Sequence, residues 1–378
     1  RRIAPRMRAV DDNLRRNRIG QAAGEEKRVI DDLQEVLNIL ANRREHELVR
    51  LVKRLHEAES ELAELTRQQE KMAEKLEKPE DGNLPRLADE QKAIMEEARR
   101  LGRRLQRLLA QRAAEETDAA GKAMNKASQG AGKGDAKTAK KEAEEAKDAL
   151  KRAAKELAQR RRQAEAELAT EMMAGLVDAL KALARRQDMA IEETGRLEAM
   201  QKSSIPLTPG QLASLGNLAR EQAVLAEDTR VLADKTAGAG VFKLALSTAS
   251  AKMEVAAERL RQRKTDEETI ARQRDARRRL EQLLDALKSA QNEQKDSKGG
   301  GGAGGKGGGA QGQGIKLVAQ LKLFKMLQEE INKRTAELEK EYGGDKKPPD
   351  NVRREYQELA EEQRRLADLM MELLPTNK

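Results

Sequence analysis

The residue types that most often carry chemistry are scarce in this sequence, and their spacing fits no catalytic or metal site. The two histidines, His46 and His56, are ten residues apart on one predicted helix, which is not a metal-ligand spacing. The chain has no cysteine, so disulfides and thiolate metal sites are excluded. No serine lies in the context of a nucleophile elbow. We therefore predict no catalytic, cofactor-binding or metal-binding residue.

One glycine-rich stretch superficially resembles a phosphate-binding loop. Residues 130–134 read Gly-Ala-Gly-Lys-Gly, but the first glycine is not at the proper distance and no serine or threonine follows the lysine. The stretch also follows a predicted helix instead of a strand. Carboxylates are abundant, yet each lies near a lysine or arginine at helical spacing and none is in an evident apolar pocket. We interpret them as solvated helix faces.

Composition favours long helices over ordinary globular domains. Charged residues make up 37% of the 378 residues and aromatic residues 1%, with no tryptophan. A large globular core usually draws on aromatic rings, which bury about 150–250 Å² each. Abundant Ala, Glu, Lys, Leu and Arg with helical periodicity indicate long helices or coiled coils. The predicted fold is all-α: long helices forming antiparallel hairpins or coiled coils, extended, with a disordered Gly-rich tether.

The charge balance is slightly basic, with 75 Lys and Arg against 66 Asp and Glu, a net charge of +9. This excess permits weak binding of nucleic acid or another polyanion without requiring it. The strongest candidate is the Arg-rich stretch 1–18, and a merely solvated helix end is the alternative. The candidate polyanion contacts are Arg1, Arg2, Arg6, Arg8, Arg15, Arg16 and Arg18.

No apolar run approaches the roughly 18 residues needed to span a bilayer, and no secretory signal is visible. We therefore predict no membrane-spanning segment within these residues. Because the sequence begins with two arginines and no methionine, we expect a segment or a processed form of a longer protein. An anchor or signal upstream stays open.

Proline and glycine divide the chain into six segments, because both residue types interrupt helices. The stretch 299–314 consists mostly of glycine, a composition typical of a flexible linker. The predicted segments are a first helical hairpin segment at 1–127, a Gly-rich break at 128–137, a long central helical hairpin at 138–235 with its corner at 203–210, a long helix at 236–298 that begins a second repeat unit, the linker at 299–314 and a C-terminal helical hairpin at 315–378.

Residues 176–235 contain one pattern twice, 35 residues apart. Leu-Ala-x-x-Gln occurs at 183–187 and 218–222, and two prolines between these copies interrupt any helix. We therefore predict two helices folded back on each other. Each glutamine lies one turn from its leucine, where it either fixes the register or is a tolerated flanking polar residue. The predicted seam residues are Leu176, Leu180, Leu183, Gln187, Leu197, Leu215, Leu218, Gln222, Leu225 and Leu232.

A longer repeat relates the beginning of the chain to its second half. Six apolar residues match six others, with an offset of 246 before one insertion and 247 after it. The repeat predicts about one and a half copies of a unit of roughly 250 residues. The matched residues are Met7, Leu14, Leu33, Val36, Leu37 and Leu40 with Met253, Leu260, Leu280, Leu283, Leu284 and Leu287.

Thr194 and Thr229 follow the two Leu-Ala-x-x-Gln copies, each preceded by an acidic residue, and the pattern continues with Met253, Ala257, Leu260, Gln273, Leu280, Leu283 and Leu284. With these residues the run 168–287 resembles large, Ala/Glu/Arg-rich repetitive coiled-coil proteins of unknown function from environmental bacteria. The resemblance implies a place in the bacterial cell envelope, facing the periplasm, with a cytoplasmic place as the alternative. It transfers no catalytic residue.

Together these features predict a structural or scaffolding coiled-coil protein, a spacer or assembly element without catalytic activity. A helix with a narrow apolar stripe must pair, so we expect self-association or binding to other coiled-coil helices. The alternative is a polyanion-binding protein that uses its Arg-rich faces to bind DNA or an anionic surface polymer.

Overall fold

The structure, a computed structural model, describes residues 3–16, 19–77, 83–202, 208–296, 315, 317–342 and 349–373. Within these ranges the chain forms helices and no strand, which confirms the all-α prediction. The helices are α1 (Ile3–Arg15), α2 (Ile19–Glu77), α3 (Leu84–Arg107), α4 (Gln111–Gly132), α5 (Ala136–Lys202), α6 (Pro209–Lys235), α7 (Gly240–Arg261), α8 (Glu267–Asp296), α9 (Leu317–Tyr342) and α10 (Asp350–Leu373).

The chain divides into two compact units, residues 1–171 and 172–378, and α5 contributes to both. Its first part belongs to the core of unit 1, which ends on this helix at Ala164, and its second part to the core of unit 2, which begins at Leu176. No residue between these two is buried. The boundary thus differs from the predicted one, which kept 138–235 together, because the apolar stripe of α5 changes partners midway.

The long helix predicted at 236–298 is two helices, α7 and α8, joined by a turn at 262–266. Arg263 adopts the left-handed conformation with φ 61°, and the amides of this residue and the next donate back into α7. This Schellman motif usually has glycine at the left-handed position, so its signal was absent here. Asp266 then begins α8 by accepting a 3.1 Å hydrogen bond from the amide three residues on.

The same motif reverses the chain inside the segment predicted as the first hairpin, 1–127. The prolines at 79 and 85 predict one corner there, followed by a single helix from about residue 86 to 127, but these residues form two helices, α3 and α4. Leu109 between them has φ 56° and is 73% exposed, and the amide of Ala110 donates a 3.0 Å hydrogen bond to the carbonyl of Leu105. Neither glycine nor proline marks this corner, which is why the sequence pattern missed it.

The break predicted at 128–137 is shorter than expected, since α4 continues to Gly132 and α5 begins at Ala136. Gly134 supplies the left-handed residue of the turn, with φ 78°. Gly130 instead lies within α4 and lets α5 approach closely, because a Cβ there would lie 3.0 Å from the backbone nitrogen of Ala139. Part of this glycine-rich stretch therefore serves helix packing.

Of the central helical hairpin predicted at 138–235, the two arms are the second part of α5 and the whole of α6, on either side of the predicted corner 203–210. Thr208 caps α6 through a capping box, accepting a hydrogen bond from the amide of Gln211 at 3.3 Å and donating its own amide to Gln211 Oε1 at 2.8 Å. Pro209 follows as the first helical residue, where its missing amide hydrogen has no effect. Residues 203–207 lie outside the described residues.

Two other predicted segments are described in part or not at all. The linker at 299–314 lies outside the described residues. Of the C-terminal hairpin at 315–378, the helices α9 and α10 are described, and the connection at 343–348 and the end at 374–378 are not.

Candidate functional site: the buried glutamine pairs

Two glutamines on neighbouring helices of unit 2 form a buried, reciprocal amide pair. Gln187 of α5 donates to Oε1 of Gln222 of α6 at 3.3 Å, and Gln222 donates back to Oε1 of Gln187 at 2.9 Å. Both side chains are 0% exposed. A buried polar group without a partner destabilises a fold by roughly 1–3 kcal/mol. The pair therefore disfavours any register in which the two amides do not face each other.

A third glutamine completes this layer from α8. Gln273 donates its side-chain amide to Gln222 Oε1 at 2.9 Å, and its backbone carbonyl accepts a 3.4 Å hydrogen bond from Gln187. Gln273 is also 0% exposed. The layer thus joins three helices through polar groups that water does not reach. The sequence pattern included Gln273 without predicting its contact, because no local signal connects it to residues 51 and 86 positions earlier.

Unit 1 contains a matching layer. Gln69 of α2 and Gln91 of α3 exchange hydrogen bonds of 3.3 and 2.8 Å, and both are 0% exposed. Here a backbone carbonyl takes the third position, since that of Ala143 on α5 accepts from Gln69 at 3.1 Å. Gln91 is the last residue of another Leu-Ala-x-x-Gln sequence, at 87–91. Two layers of the same chemistry therefore occur in the two units.

A third reciprocal pair joins α9 and α10. Gln328 and Gln363 exchange hydrogen bonds of 2.7 and 3.0 Å and lie 35 residues apart, as Gln187 and Gln222 do. Both are half-buried instead of fully buried. Gln328 also donates to Asn332 at 3.0 Å on its own helix. This pair therefore has the same two-helix geometry with more exposure.

The predicted seam leucines lie in the core of unit 2, with exposed fractions from 0 to 9%. The two arms run antiparallel, because Gln187 of α5 contacts Gln222 of α6, whereas Met200, later in α5, lies 3.2 Å from the side-chain amide of Gln211, earlier in α6. The structure thus brings together the arms that the sequence pattern matched. The leucines concerned are Leu176, Leu180, Leu183, Leu197, Leu215, Leu218, Leu225 and Leu232.

Two buried threonines of the same seam were not predicted as seam residues. Thr194 and Thr229 each lie seven residues after a paired glutamine, and both are 0% exposed. Each donates its hydroxyl hydrogen at 2.7 Å to the carbonyl four residues earlier, on Ala190 and Leu225. A self-satisfied hydroxyl can be buried without a partner across the interface. Their spacing of two helical turns from glutamine is the signal that would have found them.

A buried ionic cluster joins α8, α9 and α10. Arg279 lies 2.9 Å from a carboxylate oxygen of Glu330 and 2.7 Å from one of Glu362. The three side chains are 9%, 17% and 11% exposed. Burial raises the pKa of Glu362, and the charge of Arg279 opposes this shift. One planar guanidinium thus connects two helices that each present a carboxylate.

The candidate polyanion contacts are only partly described, since Arg1, Arg2 and Arg18 lie outside the described residues. On α1, Arg6 forms an ion pair with Asp32, and Arg15 forms one with Asp11 at 3.0 Å. Arg8 and Arg16 are exposed. Two of the four described arginines are therefore already bound to carboxylates of unit 1.

Other chemistry finds little support in the part of the chain that the structure describes. No group of three or more His, Asp or Glu side chains there could hold a metal ion. His56 lies 3.3 Å from Glu165 and 3.7 Å from Glu59, a surface contact between α2 and α5. Among the described helices, none combines the length and apolar character that crossing a membrane requires.

Comparison with known proteins adds no relative to these observations. No protein-family model matches the chain, and neither a curated protein nor a solved structure matches it. The fold class defined here is an all-α protein with glutamine-paired helical hairpins.

Proposed function

We propose that this protein is a structural scaffold or assembly element without catalytic activity, built from helical hairpins whose register is set by paired glutamines. The observation that carries the proposal is the reciprocal glutamine pair, which occurs in three hairpins of the described chain. A polar pair in a helix interface adds little net stability, but it penalises other registers and other partners. Such specificity suits a protein whose task is to hold helices in one arrangement.

The pairs also support a repeat shorter than the long unit that the sequence pattern suggested. Their first members lie at positions 69, 187 and 328, and their second members lie at positions 91, 222 and 363. After the first two pairs the chain continues into α4 and α7, which contain 22 residues each. We infer a unit of roughly 120 to 140 residues, so that the offset of 246 or 247 spans two units.

The register role is tested by a distance measurement across α5 and α6. Because the chain has no cysteine, Met189→Cys and Val224→Cys can carry two spin labels on side chains that are 60% and 48% exposed. We expect one narrow distance distribution in the parent chain. Replacing both Gln187 and Gln222 with leucine should broaden it or move it by up to a heptad, about 10 Å along the helix axis.

The matched control for this measurement removes an exposed ion pair from the same two helices. Arg186→Leu with Glu221→Leu should leave the distance distribution unchanged, because surface ion pairs contribute little. An unchanged distribution in the double glutamine variant would show that the pair does not set the register. In that case the scaffold proposal loses the observation that carries it.

The alternative function, polyanion binding, is favoured by the exposed Arg8 and Arg16 of α1. Retention on immobilised DNA separates the two. A polyanion-binding protein is retained at low salt and released steeply as salt rises, with a slope set by the number of phosphates neutralised. We expect weak retention, lost well below physiological salt. Retention that persists at physiological salt and falls in the double variant Arg8→Ala, Arg16→Ala would favour the alternative.

A further inference from the structure

Five large apolar side chains in the described parts of α1 and α2 are exposed, and three of them lie at matched positions of the long apolar repeat, where exposure is unusual. Met7 and Leu14 of α1 are 55% and 56% exposed, and Leu33 of α2 is 43% exposed. Met7 and Leu14 lie seven residues apart and so share one side of α1. We call these three side chains the N-terminal face. Clustered exposed apolar residues mark interaction surfaces in soluble proteins.

The counterparts of these residues in unit 2 are completely covered. At offsets of 246 and 247, the N-terminal face corresponds to Met253, Leu260 and Leu280 of α7 and α8, which are 0%, 1% and 0% exposed. Met253 faces the hairpin of α5 and α6, since its Sδ lies 3.5 Å from Oγ1 of Thr229. The N-terminal face is therefore the kind of surface that a glutamine-paired hairpin covers in unit 2.

The hairpin of α9 and α10 shows the complementary difference. Gln328 follows Gln187 by the same number of residues as Gln363 follows Gln222. At this offset, Leu317 and Leu321 correspond to Leu176 and Leu180. They are 52% and 39% exposed, against 9% and 0% for their counterparts. The leucines that unit 2 covers in the hairpin of α5 and α6 are therefore uncovered in the hairpin of α9 and α10.

A threonine of α9 is also more exposed than its counterpart on α5. Thr335 is exposed, whereas its counterpart Thr194 is buried. We call Leu317, Leu321, Thr335 and Met370 the C-terminal face. These side chains are exposed or half-buried, and they belong to the hairpin whose glutamine pair is half-buried.

The segments that carry Met7, Leu14 and Met370 also have opposite net charges. Residues 1–18 contain seven arginines and two aspartates, a net charge of +5. Helix α10 contains four arginines and seven acidic residues, a net charge of −3. Opposite potentials on two surfaces favour their encounter and oppose contacts between two like faces.

We infer that the N-terminal face of one molecule binds the C-terminal face of a second copy of this chain. In the complex, α1 and α2 cover the Gln328–Gln363 pair as α7 and α8 cover Gln187 and Gln222. The inference names a partner for the proposed scaffold and rests on that function. Because the two faces differ, the contact is head-to-tail, and each molecule keeps one face available for the next.

Sedimentation of the full chain and of three variants tests this contact. Leu33→Glu alters the N-terminal face and Leu321→Glu the C-terminal face, and the control Val231→Glu alters a side chain of α6 that is 44% exposed. The parent chain and the control should associate as concentration rises. Each face variant should associate at least about tenfold more weakly, because a buried charge without a partner opposes binding. A mixture of the two face variants should form dimers and nothing larger, since each retains one intact face.

A parent chain that is monomeric at every concentration would overturn the inference, as would association that survives both face variants. Circular dichroism checks that the variants fold, which we expect because all three side chains are exposed. The spin-label measurement within one molecule does not depend on these outcomes, so the scaffold proposal and this inference can fail separately.

A disulfide provides an independent readout. Met7 corresponds to Met253, and Met370 corresponds to Thr229. Because Met253 and Thr229 are in contact at 3.5 Å, we expect Met7 of one copy to meet Met370 of another. Oxidising the variant Met7→Cys, Met370→Cys should give disulfide-linked dimers and higher species on a non-reducing gel. The control Met7→Cys, Val231→Cys should remain monomeric. A ladder in both variants, or only monomers in both, would contradict the proposed contact.

Discussion

Gln187 and Gln222, 35 residues apart in sequence, exchange two side-chain hydrogen bonds in the core of unit 2. Each side-chain amide donates one hydrogen bond to the other and accepts one from it. The pair therefore forms only when the two glutamines lie at the same height along the two helices. Apolar contacts between leucines lack this property, because a seam of leucines can slide by a heptad and still pack. The pair therefore supplies a polar constraint within an otherwise apolar interface.

The first prediction concerns the loss of one partner. Gln222→Leu leaves the side-chain amide of Gln273 buried without its acceptor and Oε1 of Gln187 buried without its donor. We therefore expect the free energy of unfolding of unit 2 to fall by about 1–3 kcal/mol. Replacing Gln187 as well should recover part of this loss, since Gln273 is then the one member of this layer left without its glutamine partner. Denaturant titration followed by hydrogen exchange of α5 and α6 measures the coupling. Additive effects of the two single substitutions would show that the amides are not coupled.

Glycines inside helices give a second prediction with an internal control. A Cβ at Gly175 or Gly216 meets no atom within 4 Å, so alanine at either position should raise the free energy of unfolding by up to about 1 kcal/mol through helix propensity. A Cβ at Gly130 would lie 3.0 Å from the backbone nitrogen of Ala139, so alanine there should lower it. Thermal unfolding of the three variants distinguishes the two cases. Equal shifts at all three positions would contradict the close approach of α4 and α5.

The left-handed turns give a third prediction. Leu109 and Arg263 have φ of 56° and 61°, a conformation that is unfavourable for non-glycine residues by about 1–2 kcal/mol. Leu109→Gly and Arg263→Gly should each increase stability, by less than this amount because glycine also gains entropy in the unfolded chain. Gly134→Ala, at φ 78°, should act in the opposite direction. Thermal denaturation measures all three, and a loss of stability in both glycine variants would refute the assignment of these turns.

A fourth prediction concerns pH. Burial raises the pKa of Glu362 above its ordinary value of 4.5, so the folded protein binds this proton more tightly than the unfolded chain does. The contribution of this group to stability is therefore fully present below pH 4.5 and is lost as pH rises through the raised pKa. Denaturant titrations at several pH values should show that the parent chain loses stability relative to Glu362→Gln over this range. If the stability of the parent chain relative to Glu362→Gln instead stays constant or rises with pH, the charge of Arg279 outweighs the effect of burial on Glu362.

Helix formation itself was readable from local signals. The apolar stripe of the central region placed the leucines from Leu176 to Leu232 on one side of two helices, and these leucines are buried. Thr208 and Pro209 are signals of the same local kind at the beginning of α6, because a capping hydroxyl and a proline at the first helical position act over only a few residues. Local chemistry of this kind depends on neighbours in sequence, which a single sequence contains.

The corners at Leu109 and Arg263 were not readable, because both residues occupy a left-handed position that sequence patterns assign to glycine. Tertiary contacts hold these turns in place despite the unfavourable backbone conformation. The same reasoning applies to Gly130, whose position in α4 reflects the approach of α5 and not a helix break. Packing between helices therefore decided where the chain turned.

The sequence by itself determined that the chain is helical, which side of the central helices is apolar, and where glutamine recurs beside that side. Only the tertiary structure decided which glutamines pair, that Gln273 and the carbonyl of Ala143 complete the two layers, and that α5 changes partners between Ala164 and Leu176. The physical reason is the distance along the chain over which each kind of interaction acts. Helix propensity and periodicity act within a few turns, whereas these pairings join residues 22 to 86 positions apart and depend on the packing of the whole unit.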